Sequence, residues 1–344
     1  MAHYLVTGGA GFFGSIMKTI LLDRGDTVVS IDLEPDGMDR SGYQSYRGDI
    51  NDGELMEKIF STNKFDGIFH FAALLAHVKK DLPKLWHANV DGTTNVLRFA
   101  EKYGVAHLVF TSTNCLWAKN FDTPVTESEP PEPIEIYGRS KLEGERILLA
   151  SKSVKSVIFR CPTIMDEGRL GLLGILFAFI DESRKLWVVG DGGNHYQFIY
   201  AKDLAEACIR AITYGETDVF NIGSDNVRTF NEVYQYVIDA GRSKSRIAHL
   251  PRGITVFGMK VCFWLGISPL GPYQYKMITS NFVFDTSKLK AKLGWKPTKT
   301  NEEMMLTAYE YYHRNREEIL RRKDVSAHSS VAKMGIIRLI KWLS

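Results

Sequence analysis

Tyr137 and Lys141 stand four residues apart in "IYGRSKLEGE", a stretch that follows Pro133 and has helical character. On a helix, side chains at that spacing share a face. A phenol titrates near ~10 in water, and a neighbouring ammonium favours its phenolate, which moves Tyr137 toward work as a base near neutral pH. Upstream, "VFTSTN" brings Thr111, Ser112 and Thr113 to the end of an expected strand, where a hydroxyl can bond a substrate oxygen beside the phenol. By itself the Tyr-x-x-x-Lys spacing fits any solvated helix face, so its chemistry depends on what the rest of the chain delivers to it.

What is delivered is read from "VTGGAGFFGS". Gly8, Gly11 and Gly14 form a G-x-x-G-x-x-G that follows a strand and opens a helix. Glycine lets the backbone turn tightly and approach a pyrophosphate, while free N–H groups and the helix dipole favour its charge. Asp32 closes the second strand, "TVVSID", where a carboxylate accepts the ribose hydroxyls of an adenosine and repels a 2′-phosphate. The pattern therefore predicts NAD rather than NADP. A bound nicotinamide ring, being positive, adds to the pull of Lys141 on the Tyr137 phenol.

The elements that must position these residues are legible in the apolar pattern. "HYLVTG", "TVVSID", "SYRGDI", "GIFHFAA", "HLVFTST" and "SVIFRCP" read as strands, with helical stretches between them. Strict alternation means βαβ units, hence an α/β fold with a parallel sheet covered on both faces. Beyond Pro162 the alternation loosens into a smaller lobe over the carboxyl ends of the sheet. "DTPVTESEPPEP" reads as an acidic, proline-rich, linker-like surface loop. Lysine and arginine number 43 against 40 acidic residues, a balance that argues against nucleic acid as a partner. The four cysteines, Cys115, Cys161, Cys208 and Cys262, lack the spacing of a disulfide framework or a metal site, which suits a reducing cytoplasm. A strand beginning at about Tyr4 leaves no room for a cleaved leader.

With these residues in place, the chain resembles the extended short-chain dehydrogenase/reductase family, in its NAD-dependent sugar epimerase and dehydratase branch. The likeness runs from about Tyr4 to Pro297 through "TGGAGFFG", "GDI", "FHFAA", "NVDGT", "TST", Tyr137 to Lys141, "FRCPT", "FIYAKDLAEA", "FNIGS" and "LGW". It implies a Rossmann-type doubly wound parallel sheet over residues 1–162, with later elements returning from about 190–225. A smaller C-terminal α/β substrate lobe would occupy 163–324 and a basic amphipathic tail 325–344. By the resemblance Tyr137 transfers the proton, Lys141 binds the nicotinamide ribose and Thr113 polarises the reacting oxygen. Cofactor contacts would come from Gly8, Gly11, Phe12, Phe13, Gly14, Asp32, Asp49, Ile50, Phe71, Ala72, Ala73, Asn89, Thr111, Tyr137, Lys141, Cys161 and Thr163. Leu75, Asn114, Trp117 and Gln197 would face the substrate. Of Phe12 and Phe13, one is expected to pack the helix onto the sheet.

Departures from the family pattern bear on the substrate. Family dehydratases carry an acidic pair just after the catalytic Ser/Thr, where this chain has Asn114 and Cys115, which argues against a 4,6-dehydratase. The usual "VYG" is replaced by Leu116, Trp117 and Ala118, and Trp117 serves either packing or substrate contact. Many UDP-sugar epimerases grip the substrate diphosphate with an arginine at the position of Gln197 and with another before the "D-x-S-K" stretch, and neither is here. Charge-assisted donors are still needed, so Arg169, Arg184 or Lys185 takes over, or the substrate is not an ordinary nucleotide sugar.

Two segments, "LGLLGILFAFI" (170–180) and "ITVFGMKVCFWLGISPL" (254–270), are unusually apolar and read as buried or lid helices. The tail "SVAKMGIIRLIKWLS" interleaves apolar residues with Lys333, Arg338 and Lys341, a pattern that fits a membrane interface or a docked helix equally. The leading expectation is an NAD-dependent epimerase of a nucleotide- or lipid-linked sugar, a cytoplasmic homodimer with peripheral contact at the inner face of the membrane. The alternatives are a net dehydrogenase or reductase of an amphiphilic alcohol or ketone, akin to hydroxysteroid dehydrogenases, and a non-catalytic NAD-binding regulator.

Overall fold

The computed structural model describes residues 1–75, 81–265 and 277–321. Seven parallel strands form the central sheet: β1 (His3–Thr7), β2 (Thr27–Asp32), β3 (Tyr43–Arg47), β4 (Gly67–His70), β5 (His107–Thr113), β6 (Lys155–Cys161) and β10 (Asp218–Asn221). Their order is β10-β6-β5-β4-β1-β2-β3. The inner strands β1, β4 and β6 are buried along almost their whole length, which is why they read as apolar runs rather than alternations. Strand order reverses at β1 and β4, and the crevice beyond their carboxyl ends is where such sheets bind ligands.

Helices α1 (Phe12–Asp23) and α7 (Ala201–Ala211) cover one face, burying Met17, Leu21 and Leu204 against Phe69, Val109 and Phe159. Helices α2 (Gly53–Thr62), α4 (Gly92–Lys102) and α5 (Ile136–Ala150) cover the other, where Ile59, Phe60, Val96 and Phe99 meet Phe110 and Ile158. Between them, α3 (Leu82–Trp86) runs through a π-helical turn, His87–Asp91, into α4. The "LGW" motif is a latch. Gly294, at φ +60°, ends α10 (Ser287–Leu293), and buried Trp295 donates its indole N–H to the Asp203 carbonyl of α7 at 2.8 Å. The Asp203 carboxylate in turn accepts from the N–H and hydroxyl of Thr298.

A second body of secondary structure packs around its own core. It comprises β7 (Thr163–Met165), α6 (Leu173–Asp181), β8 (Leu186–Val189), β9 (Phe198–Tyr200), α8 (Phe230–Ala240), β11 (Ile247–Leu250), α9 (Arg252–Trp264) and α11 (Asn301–Arg321). β8 pairs with β11 and β7 with β9, both parallel. Phe177 of α6 sits against Tyr309 and Tyr312 of α11, and Val233 and Val237 of α8 complete the cluster. The two apolar segments have opposite fates. Residues 170–180 supply core side chains, whereas α9 buries none of its residues. The basic tail, 325–344, lies outside the described residues.

The acidic loop is no loose linker. The Val125 N–H donates to Val283 O, while Val125 O accepts from Asp285 N and from the side-chain amide of Asn221. The Glu127 carboxylate takes the Asn221 N–H and its carbonyl takes Arg160. This segment therefore brackets the sheet to the strand-like run through Phe282 and Phe284. Proline-rich composition gave no hint of that, because the partners are far away in sequence.

Two buried polar assemblies fix the elements around the crevice. Arg160 of β6 forms a bidentate ion pair with Glu145 of α5, both buried, with its guanidinium lying over the Trp117 ring. His70, at the end of β4, bridges Thr7 of β1 at 2.6 Å and Thr93 of α4 at 2.9 Å. Thr93 gives its own proton to the Asn89 carbonyl, so Nε2 of His70 is the donor to Thr93 and Nδ1 the acceptor from Thr7. Burial, followed by the charge of Lys141, holds this imidazole neutral, with its pKa pushed down to about 3.

Two outcomes follow for stability. Glu145→Ala leaves a buried guanidinium unpaired and should cost about 3–5 kcal/mol in chemical denaturation, with Arg160→Met in the same background recovering part of it. Because the folded pKa of His70 lies below its unfolded value, the unfolded chain binds the extra proton between pH ~6.5 and ~3. Stability due to a neutral His70 is thus lost as pH falls through that window, by about 1.4 kcal/mol per unit at most, and a His70→Gln variant should show a flatter acid limb in thermal melts.

Candidate active site

The glycine loop is shaped by contacts rather than by composition alone. Gly8 sits at φ +74°, and a Cβ there would lie 2.7 Å from the Ala72 nitrogen. A Cβ on Gly14 would overlap the Gly8 carbonyl oxygen, so α1 can start this close to the loop only with glycine at that position. No side chain caps α1, whose first turn keeps N–H groups for an anion. Asp32 is held by the N–H groups of Ala10 and Glu34, one on each carboxylate oxygen at 3.0 Å, leaving lone pairs on both for ribose hydroxyls.

On the other side of the crevice, β5 ends in Thr113, whose hydroxyl accepts the Cys115 N–H at 3.1 Å and caps a single 3-10 turn, Asn114–Leu116. The hydroxyl proton of Thr113 is left to donate. Helix α5 is pressed onto this turn, since a Cβ on Gly138 would overlap the Cys115 carbonyl. Tyr137 and Lys141 are therefore carried to Thr113 by close helix-to-turn contact. Lys141 is buried, its ammonium 3.8 Å above the Phe110 ring centroid, and burial pushes its pKa down to about 7. The Tyr137 phenol is pushed up, chiefly by burial, with the nearby Arg169 charge opposing. Among the described residues neither the Tyr137 hydroxyl nor the Lys141 ammonium has a hydrogen-bond partner. Two polar groups without partners, one of them deeply buried, form a site organised for something that supplies the missing bonds.

Other expected residues take different parts. Asn89 is saturated: its Oδ1 accepts Leu74 N, and its Nδ2 donates to Leu74 O and to Ser140 of α5. It is a strut between the segment after β4 and helix α5. Phe13 is buried, its ring centroid 4.7 Å from that of Phe71, and packs α1 on the sheet. Phe12 instead meets Arg169, with 5.6 Å between ring centroid and guanidinium carbon. Ile50 is a core residue against Gly92, and Asp49 caps the turn at Asn51. Phe71, Ala72 and Ala73 follow β4 into the crevice, and Leu75, beside them, is exposed. Thr111, Cys161 and Thr163 lie at the ends of β5, β6 and β7, with buried Cys161 close enough to Lys141 to act on its charge.

Two residues expected to face the substrate sit in packed positions. Trp117 is buried among Phe282 and Phe284, with its indole N–H on the Pro130 carbonyl, so it packs. Gln197 is buried too: it donates to Ser224 O, accepts Phe284 N and fills the space over Gly223. Its neighbour Tyr196 points the other way, and the Tyr196 hydroxyl accepts from Asn114 Nδ2 at 2.6 Å. A one-residue step along extended backbone exchanges faces, so the residue that reaches the site is Tyr196. The alternation Tyr196, Gln197, Phe198 was the signal available.

Of the three cations considered, Arg184 and Lys185 are exposed after the end of α6. Arg169 alone faces the site. Burial lowers its pKa to about 10, and the Tyr137 and Tyr196 hydroxyls are near enough to act on its charge. Among the described residues its guanidinium has no ion pair or hydrogen bond, only the Phe12 ring.

Known proteins match this arrangement. The profile of the NAD dependent epimerase/dehydratase family covers residues 4–223. The chain is 34% identical over 342 residues to the uncharacterized protein y4nG of Sinorhizobium fredii, covering 98% of this chain and 85% of that protein. It is 38% identical over 265 residues to a UDP-glucose 4-epimerase of Streptomyces lividans, covering 68% of this chain and 79% of that one. Among solved structures, a UDP-glucose 4-epimerase of Thermotoga maritima bound to UDP-glucose superposes with a TM-score of 0.76 at 25% identity, covering 91% of this chain and 99% of the other. The uncapped α1, the held Asp32 carboxylate and the free Lys141 ammonium together fit NAD, and the chain belongs to the NAD dependent epimerase/dehydratase family as an NAD-dependent enzyme.

Proposed function

We propose that the protein is an NAD-dependent epimerase of a sugar carried on a nucleotide or lipid diphosphate, acting at the inner face of the cytoplasmic membrane. NAD, when bound, would supply the acceptor and then the donor for one hydride, lost and regained by the sugar carbon that carries the reacting hydroxyl. Tyr137 takes the proton of the reacting sugar hydroxyl and gives it back, with the Thr113 hydroxyl holding the same oxygen. Lys141 binds the cofactor ribose, and the Arg169 charge opposes the burial that otherwise keeps the Tyr137 phenol protonated. Such an enzyme needs no group to expel water from the sugar, in keeping with the uncharged Asn114 and Cys115 after Thr113.

The observation that carries this reading is the unpartnered trio of Tyr137, Lys141 and Arg169 around one end of the crevice. Arg169 takes the part of the family arginines that this chain lacks: an unpaired guanidinium beside Tyr137 and Tyr196 is suited to a substrate phosphate.

Incubation with UDP-sugars and polyprenyl-diphosphate sugars, with products separated by chromatography, should show interconversion of epimers without accumulation of free NADH. Steady release of NADH would instead mark a net dehydrogenase. Tyr137→Phe should lower kcat by 10³-fold or more, on the order expected for loss of a general base with its orienting bonds, while NAD stays bound in fluorescence titration. Arg169→Ala should raise KM by about tenfold or more with a smaller change in kcat, because a charge-assisted contact to the carrier holds substrate and transition state alike.

A further inference from the structure

Helix α9 carries an apolar stripe turned to solvent. Ile254, Phe257, Val261, Trp264 and Leu265 recur at helical spacing and are 77%, 69%, 39%, 83% and 55% exposed. Single exposed apolar side chains are ordinary on a soluble surface, but a stripe with two large aromatic rings on one helix marks an interaction face. The charge along this stretch of chain is equally one-sided. From residue 240 to 265 the chain has no aspartate or glutamate, and it has five cations: Arg242, Lys244, Arg246, Arg252 and Lys260. All five are exposed, and none forms an ion pair among the described residues.

We propose that this face of α9 docks onto a bilayer surface that carries anionic lipids. The charge selects among possible occupants. A second copy meeting it helix to helix would set Arg252 and Lys260 of one α9 against those of the other, with no carboxylate on either helix. The chain's own C-terminal segment is also basic, with Lys333, Arg338 and Lys341 and no carboxylate side chain after Asp324, and is repelled in the same way. An anionic partner is attracted, and exposed Phe and Trp beside Arg and Lys are suited to the boundary between headgroups and acyl chains. The described residues contain no helix long and apolar enough to cross a membrane. None of this depends on which sugar is the substrate.

The test is co-sedimentation of the full chain with vesicles of phosphatidylcholine alone and of phosphatidylcholine with phosphatidylglycerol. Wild type should sediment with the anionic vesicles only, and less so at high salt. Phe257→Ser with Trp264→Ser should weaken that binding by on the order of tenfold or more, since both rings leave the interface. Lys260→Glu should weaken it at low salt and matter little at high salt. A chain ending at Lys323 should keep a measurable part of the binding, and the double variant of that truncated chain should keep none. Unchanged circular dichroism and NAD binding establish that the variants are folded, as exposed positions predict. The proposal is overturned if wild type binds neither vesicle or both equally. It is equally overturned if the double variant binds like wild type, which would assign attachment to the tail alone, or if the two serines abolish self-association in sedimentation velocity and leave vesicle binding untouched.

Discussion

Burying an ammonium without a counter-ion is costly, and the structure does so at Lys141, seated on the Phe110 ring at the end of the sheet. The penalty is visible as a pKa drawn down to about 7. A group held on an aromatic ring without a hydrogen-bond partner among the described residues interacts strongly with a hydroxyl or charge that is brought to it. The rest of the fold supplies the rigidity that keeps the lysine there.

That rigidity comes from several directions at once. Glu145, one turn beyond Lys141, is clamped by Arg160, while Ser140 on its other side takes a hydrogen bond from Asn89. Asn89 also grips the loop after β4, and its carbonyl ends the chain of bonds that runs through Thr93, His70 and Thr7 into β1. Helix α5, the cofactor loop and the central strands are thereby one hydrogen-bonded unit. Gly138 and Gly14 complete it by permitting backbone contacts that any side chain would prevent. A change at His70 or Glu145 acts on chemistry at Tyr137 only through this unit.

The smaller body of secondary structure contributes what the sheet lacks. It brings Tyr196 onto Asn114 and Arg169 over Phe12, so the far wall of the crevice is aromatic and cationic. It also bears α9, whose apolar stripe and surplus of cations stand apart from the balanced charge of the chain as a whole.

The sequence by itself determined the alternating strands and helices, the glycine turn before α1, Asp32 at the end of β2, and the Tyr137 and Lys141 spacing on α5. All of these are local patterns, in which the period of two or 3.6 residues and the turn chemistry act over a few positions. Family likeness added which local pattern does which task. Tertiary structure alone decided the rest, because it concerns groups brought together from distant positions. Asn89 ties the segment after β4 to α5, Phe13 packs on Phe71, Trp117 and Gln197 are buried among distant partners, and Tyr196 rather than Gln197 reaches Asn114 because neighbours on extended backbone face opposite ways. The two apolar segments looked alike in composition, yet α6 is covered by α11 and α9 is left open. Whether a hydrophobic stripe becomes core or surface depends on what packs over it, and no window of sequence contains that information.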